Sequence, residues 1–304
     1  MTAYVYAALA RLKARMALKR NFSTALLLSF LSDLPALLAQ VFAILSLGTF
    51  LKEVQEGLLS EGQVYLEKLS RMNIDDVYMR MDHGLMTAAI LCFILSIVLV
   101  FLRLSAIHSQ FKLLRGQEIS WKDAFSRLGQ MYKAIGLSVC RAVLMLLWSL
   151  PGIAVTVLGV FLSVRAVGDN LTIAAFGIEV TLLLGMSAML FFGVWAYMRY
   201  VFADYIMADK PETGVFASIR EARNLSRGNI RRMLMMLLSF IFWYFLTSFI
   251  SGIFSGVVGT VISLGLQIVI SLYMSTCFAA LYDQLHQTDE EAKKIISDPD
   301  ATVQ

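Results

Sequence analysis

The chain has 304 residues, of which 58% are hydrophobic and only 16% charged, and its formal net charge is +4. A charged share so far below the roughly 25% of soluble domains, a mean hydropathy of +0.71 and long, nearly uncharged apolar blocks exclude an ordinary soluble domain and indicate an all-α, polytopic integral membrane bundle. The positive charge does not indicate nucleic acid, because the basic residues flank the apolar blocks, where they set topology.

Taken in chain order, six spans are predicted, at 23–49, 84–104, 136–164, 171–198, 233–251 and 258–282, each close to or above the roughly 20 residues that a hydrocarbon core requires. The first is interrupted by Asp33 and Pro35 and is followed by no A-x-A site, so it reads as a span and not as a cleavable leader. Arg11, Lys13, Arg15, Lys19 and Arg20 precede it. Lys112, Arg115, Lys122, Arg127 and Lys133 separate spans 2 and 3, and a further basic group from Arg199 to Arg232 separates spans 4 and 5. The 51–83 connection instead holds seven acidic residues against four basic ones. The positive-inside rule therefore places both termini and both basic loops in the cytoplasm. Within 51–83, Leu51, Val54, Leu58, Tyr65, Leu69 and Met72 recur at roughly helical intervals, as in a lid or a docking segment on the outer side. Gly252, Gly256 and Gly259 supply a tight turn between the last two spans. Residues 1–282 thus form one transmembrane domain, and 283–304 a short polar cytoplasmic tail.

Two octets, "ARMALKRN" from Ala14 and "ARNLSRGN" from Ala222, share the pattern A-R-x-x-x-(K/R)-x-N, and each runs into an apolar block. In the first, Arg11, Arg15 and Lys19 are four residues apart; so are Arg223, Arg227 and Arg231 around the second. That spacing lines them along one helix flank, suited to anionic lipid head groups at an interface. Asn21 and Asn229 fit the turn that follows. A weaker middle copy keeps Arg127 and Lys133, and Leu34-Pro35 and Leu150-Pro151 share the same offset. The pattern predicts an interfacial helix plus a hairpin, repeated as units 1–104, 105–198 and 199–282.

Asp33, Arg141 and Glu179 are the ionisable residues inside predicted spans, where a charge normally faces protein or water and marks a function. By helical rise, Asp33 lies roughly 15 Å from the inner start of its span and Glu179 roughly 12 Å from the outer start of its own. These depths fit one polar midplane site for a substrate or ion, with Arg141 nearer the cytoplasm, pairing with either carboxylate or reaching inward. Pro35 and Pro151 each free a carbonyl one turn upstream and permit a bend, as in the broken helices of transporters. Trp195, Tyr197, Tyr200 and Tyr205 fit an interfacial aromatic belt. No cofactor or metal is expected: His83, His108 and His286 lack H-x-x-x-H companions, and Cys92, Cys140 and Cys277 lack ligand spacing.

The stretch "YVFADYIMADKPETGVFASIREARNLSRGNIRRMLMMLLSFIFWYFL" resembles the DUF975 family of bacterial integral membrane proteins, through Tyr200, Asp209, Pro211, Ser226, Gly228, Asn229 and Trp243. It is more distantly similar to the membrane domain attached to some glycerophosphodiester phosphodiesterases. The family pattern has glycine before the tryptophan, where this chain has Phe242. The resemblance implies a multi-pass protein of the bacterial cytoplasmic (inner) membrane and carries over no catalytic residue. Two functions remain. One is noncatalytic transport of a small solute, ion, lipid or peptide through a polar midplane site. The other is an accessory, immunity or scaffold role in a membrane complex, with membrane lipids and a membrane protein as partners.

Overall fold

A computed structural model of the chain describes residues 3–61, 64, 74–79, 83–166, 171–254 and 257–297. Among these residues every regular element is helical: α1 (Ala3–Arg20), α2 (Phe22–Glu61), α3 (Ile74–Met79), α4 (His83–Val98), α5 (Val100–Leu114), two 3-10 turns, α6 (Met131–Ala166), α7 (Leu171–Tyr200), α8 (Phe202–Asp209), α9 (Val215–Ser226), α10 (Ile230–Ile253) and α11 (Val257–Ser297). Five helical stretches are long and apolar enough to cross a membrane, or six if the bent pair α4–α5 counts as one span. The best apolar window of the stretch containing α6 is only 6% buried inside the protein, and that containing α7 11%. Apolar surface of that extent is stable only against hydrocarbon, so the fold is a polytopic membrane bundle.

The bundle divides along its length. α4, α6, α7 and α10 turn large side chains such as Phe93, Leu146, Leu190 and Phe245 outward. Towards the basic end, the bundle closes into a protein-like core, where Phe111, Phe202, Phe278, Met207, Met233 and Tyr282 are fully buried. Phe111, Phe202, Tyr205 and Tyr282 meet there ring to ring, with centroids 5.5 to 6.4 Å apart. Tyr200 and Tyr205 are buried in this core, which corrects their reading as an interfacial belt. The aromatic run continues past the predicted span 171–198 into α8, which packs on α5 and α9.

The predicted second span is not one straight helix. At Leu99 the chain bends by 50° between α4 and α5, and the Leu102 amide bonds the Leu99 carbonyl three residues back at 2.9 Å. The bend separates two environments. α4 exposes Ile90, Leu91, Phe93 and Ile94, whereas α5 is buried almost all round, from Phe101 to Leu113. By contrast α2 and α6 run through Pro35 and Pro151 without interruption, Pro35 buried and Pro151 exposed.

α1 does not merely lie on the bundle. Ala7, Ala10, Ala14 and Ala17 recur three and four residues apart and are buried, giving a small-residue stripe on which α10 and α11 pack. Asn21 breaks the chain between α1 and α2, its carbonyl accepting from the Ala25 amide at 3.1 Å. The end of the second octet folds as a joint. Gly228 takes a φ of 81°, Asn229 Nδ2 donates to the Leu225 carbonyl at 2.9 Å, and Ser226 Oγ donates to the Arg199 carbonyl at 3.3 Å. The middle copy differs, because Trp121–Phe125 and Leu128–Gln130 form 3-10 turns where the pattern calls for a helix. α6 and α7 pack along their length through Gly152, Gly159 and Gly185, where a Cβ would collide with Met189, Thr181 and Thr156 respectively.

Four side chains of the basic flanking segments bond protein groups. Lys13 pairs with Asp283 at 2.6 Å and Arg115 with Asp209 at 2.7 Å. Arg127 donates to the Ala208 carbonyl at 2.7 Å, and Lys133 to the Pro211 carbonyl at 2.8 Å. α11 continues as helix past 282, through Ser297. Of the 51–83 segment, α2 carries the chain to Glu61. The side chains of Leu51, Val54 and Leu58, all of Tyr65, Leu69 and Met72, and Gly256 lie outside the described residues.

Candidate functional site

A polar cavity of about 210 Å³ opens between α2, α5, α7, α8, α10 and α11. Helical periodicity delivers its wall. Ser29, Ser32, Asp33 and Leu37 come from one face of α2, and Arg103, Ala106, Ile107 and Gln110 from one face of α5. Gln267, Ser271, Met274, Ser275 and Phe278 come from one face of α11, while Tyr197, Tyr205 and Tyr244 close the remainder.

Asp33 is held by hydroxyls. Ser271 Oγ donates to its Oδ2 at 2.8 Å, and Ser32 Oγ lies 3.2 Å from its Oδ1 while also donating to the Ser29 carbonyl at 2.8 Å. Gln110 is 3% exposed, and its Nε2 donates to Ser275 Oγ at 2.7 Å. Its Oε1 is buried without a hydrogen-bond partner among the described residues. Burial of an unpaired amide oxygen is costly, on the order of 1–3 kcal/mol.

The cation of the cavity is Arg103. Its Nε lies 3.3 Å from Asp204 Oδ2, and its side chain keeps 47% of its area free although it stands among the helices; it lines the cavity. Asp204, on α8, is buried, with only 5% of its side chain exposed. It also accepts from Nη1 of Arg141, whose side chain is 16% exposed. One carboxylate between two guanidiniums leaves a local excess of one positive charge. Arg141 is the more enclosed partner, so the cation left facing the cavity is Arg103, with Asp33 lining the same space.

The sequence-level candidates therefore part company. Asp33 lines the cavity. Arg141 pairs with Asp204, a partner not expected from the sequence. Glu179 belongs to α7, about 27 Å along that helix from Tyr197, and its side chain lies outside the described residues. Of the proposed lipid-contact residues, Arg15, Lys19, Arg223, Arg227 and Arg231 are exposed, whereas Arg11 is half-buried and donates to its own helix at the Ala7 carbonyl, 3.3 Å away. Arg103 and Asp204 were not singled out from the sequence. Asp204 had a signal, a lone charge in the apolar run "YVFADYIMA"; Arg103 stood at the edge of a predicted span. Among the described residues no group of three His, Cys, Asp or Glu side chains could hold a metal ion.

No curated protein and no solved structure matches the chain. The family described as "Protein of unknown function (DUF975)" matches residues 75–289. That stretch includes Arg103, Gln110, Arg141 and Asp204 and begins after Asp33. It covers well over half of the 304 residues, and the chain belongs to the DUF975 family.

Proposed function

We propose that the protein carries a small polar solute across the membrane through the cavity between Asp33 and Arg103. The observation that supports this most is the convergence of a carboxylate and a guanidinium on one space among hydrocarbon-facing helices. Ionisable groups at such positions are expensive and mark solute paths. A volume of about 210 Å³ is below the roughly 300–1,000 Å³ of drug-sized sites. It favours a solute of few heavy atoms, with an anionic group for Arg103 and a donor for Asp33, over a lipid or a peptide. Protonation of Asp33 would lower the cost of exposing the cavity during gating; Glu179 is a second candidate for that role.

The test is uptake of labelled small zwitterions and carboxylates into proteoliposomes, with a thermal-shift screen of the same panel. Asp33→Asn and Arg103→Gln should abolish binding and uptake of whichever solute the wild type takes, while Asp283→Asn should not. Equal uptake by all four proteins would refute the reading. A stoichiometric protein partner in native membranes, with no solute, would favour the accessory, immunity or scaffold role. We read both termini and the basic loops as cytoplasmic, in a bacterial inner membrane, and the three basic-helix and hairpin segments as repeats, from their charge and spacing. Reporter fusions at each loop test that orientation.

A further inference from the structure

α1 divides its cations between two surroundings. Lys13 is neutralised by Asp283. Arg15 and Lys19, one turn apart and exposed, form no ion pair among the described residues. Both stand at the rim of a second concavity, a groove of about 370 Å³. Its floor is apolar, from Phe240 and Trp243 of α10 and Val269 and Ile270 of α11, and among the described residues no acidic side chain lines it. Trp243 and Val269 are themselves 49% and 38% exposed, so the groove is continuous with the surface that faces hydrocarbon.

We propose that this groove is a binding site for one anionic diacyl phospholipid, its phosphate between Arg15 and Lys19 and an acyl chain along Phe240, Trp243, Val269 and Ile270. Each part of the groove selects one part of that molecule. An apolar floor open to hydrocarbon takes a chain already dissolved there, while two unpaired cations at the rim take a phosphate. A peptide or a second copy of this chain would have to bring an acidic group to the rim and an apolar segment to the floor through lipid. The solute cavity lies on the other side of α11, so this site is independent of the transport reading.

The experiment is lipid retention by the purified full-length protein in nanodiscs of phosphatidylglycerol mixed with phosphatidylcholine, measured by mass spectrometry of the delipidated complex. Inorganic phosphate serves as competitor. The wild type should retain one phosphatidylglycerol in preference to phosphatidylcholine, and millimolar phosphate should not displace it. Arg15→Gln with Lys19→Gln should weaken retention on the order of thirtyfold, from about fivefold per cation. Val269→Phe, which fills the floor and leaves both cations, should weaken it as well and carries the test if the charge variant inserts poorly. Lys122→Gln with Arg220→Gln, two exposed cations away from the groove, should leave it unchanged. Equal retention of the two lipids, displacement by phosphate alone, or an equal loss in the Lys122/Arg220 control would overturn the proposal.

Discussion

Asp204→Asn isolates the electrostatics of the core. The substitution keeps the shape and removes the one negative charge that Arg103 and Arg141 share. At the 3.3 Å separation of Arg103 and Asp204, the Coulomb attraction is about 5 kcal/mol at an effective dielectric of about 20. Arg103 is half open to the cavity, so water recovers part of that loss; Arg141, with 16% of its side chain exposed, recovers less. Breaking a buried pair from one side costs about 3–5 kcal/mol, and the lower end applies here. A loss near 3 kcal/mol lowers Tm by roughly 6 °C or more in a chain of this size. Cys277 is fully buried and free, so its reaction with a thiol dye on heating, in a Cys92→Ser, Cys140→Ser background, reports the opening of this core. Adding Arg141→Met to Asp204→Asn should restore part of the stability, because it removes one of the two stranded cations. A melting point within about 1 °C of wild type for Asp204→Asn, or strictly additive losses in the double variant, would refute the assignment of the pair as a coupled element.

Three further outcomes are expected. Gly185→Leu drives a side chain into Thr156 and should lower Tm by several degrees and reduce folded yield, whereas Gly193→Leu, on the same helix with nothing within 4 Å of its Cβ position, should be tolerated; equal melting points would remove the glycine contact as a support of the α6–α7 hairpin. Gly228→Val forces a β-branched residue into a φ of 81° and should cost about 1–2 kcal/mol, with Gly228→Asn closer to wild type, both read by thermal unfolding; the reverse order would contradict the left-handed joint. Arg127→Met removes the donor to the Ala208 carbonyl and the contact of Arg127 Nη2 with His108 Nδ1 at 2.9 Å, and should raise hydrogen exchange across 205–211 and the 3-10 turns without altering exchange in α4.

The spans were legible because a long apolar block has few other destinations. Asp33 was legible because a carboxylate inside such a block is conspicuous. What escaped notice depends on where the chain turns. Arg103 is central only because the 50° bend at Leu99 swings α5 from the lipid surface into the middle of the bundle, and nothing in the local composition announces that bend. Asp204 lies beyond the predicted fourth span, on the short helix α8 that packs against α5, so the partner of Arg141 could not be deduced from depth along a span. Tyr200 and Tyr205 suit an interface and a core equally well on chemical grounds. The first octet carried two messages at once: its arginines and lysine speak of the membrane surface, and its alanines, at Ala14 and Ala17, of a helix contact that the charge pattern obscured.

α11 has its Val269, Ile270 and Tyr273 face on the lipid-side groove and its Gln267, Ser271 and Met274 face on the cavity. It is a partition one helix thick, about 10–12 Å across with its side chains. No mobile ions populate its interior, so the screening that limits charges to some 8 Å in saline is absent through it. If the two proposals hold, a lipid phosphate on Arg15 and Lys19 acts on Asp33 through that one helix, and the charge of the bilayer bears on the cavity.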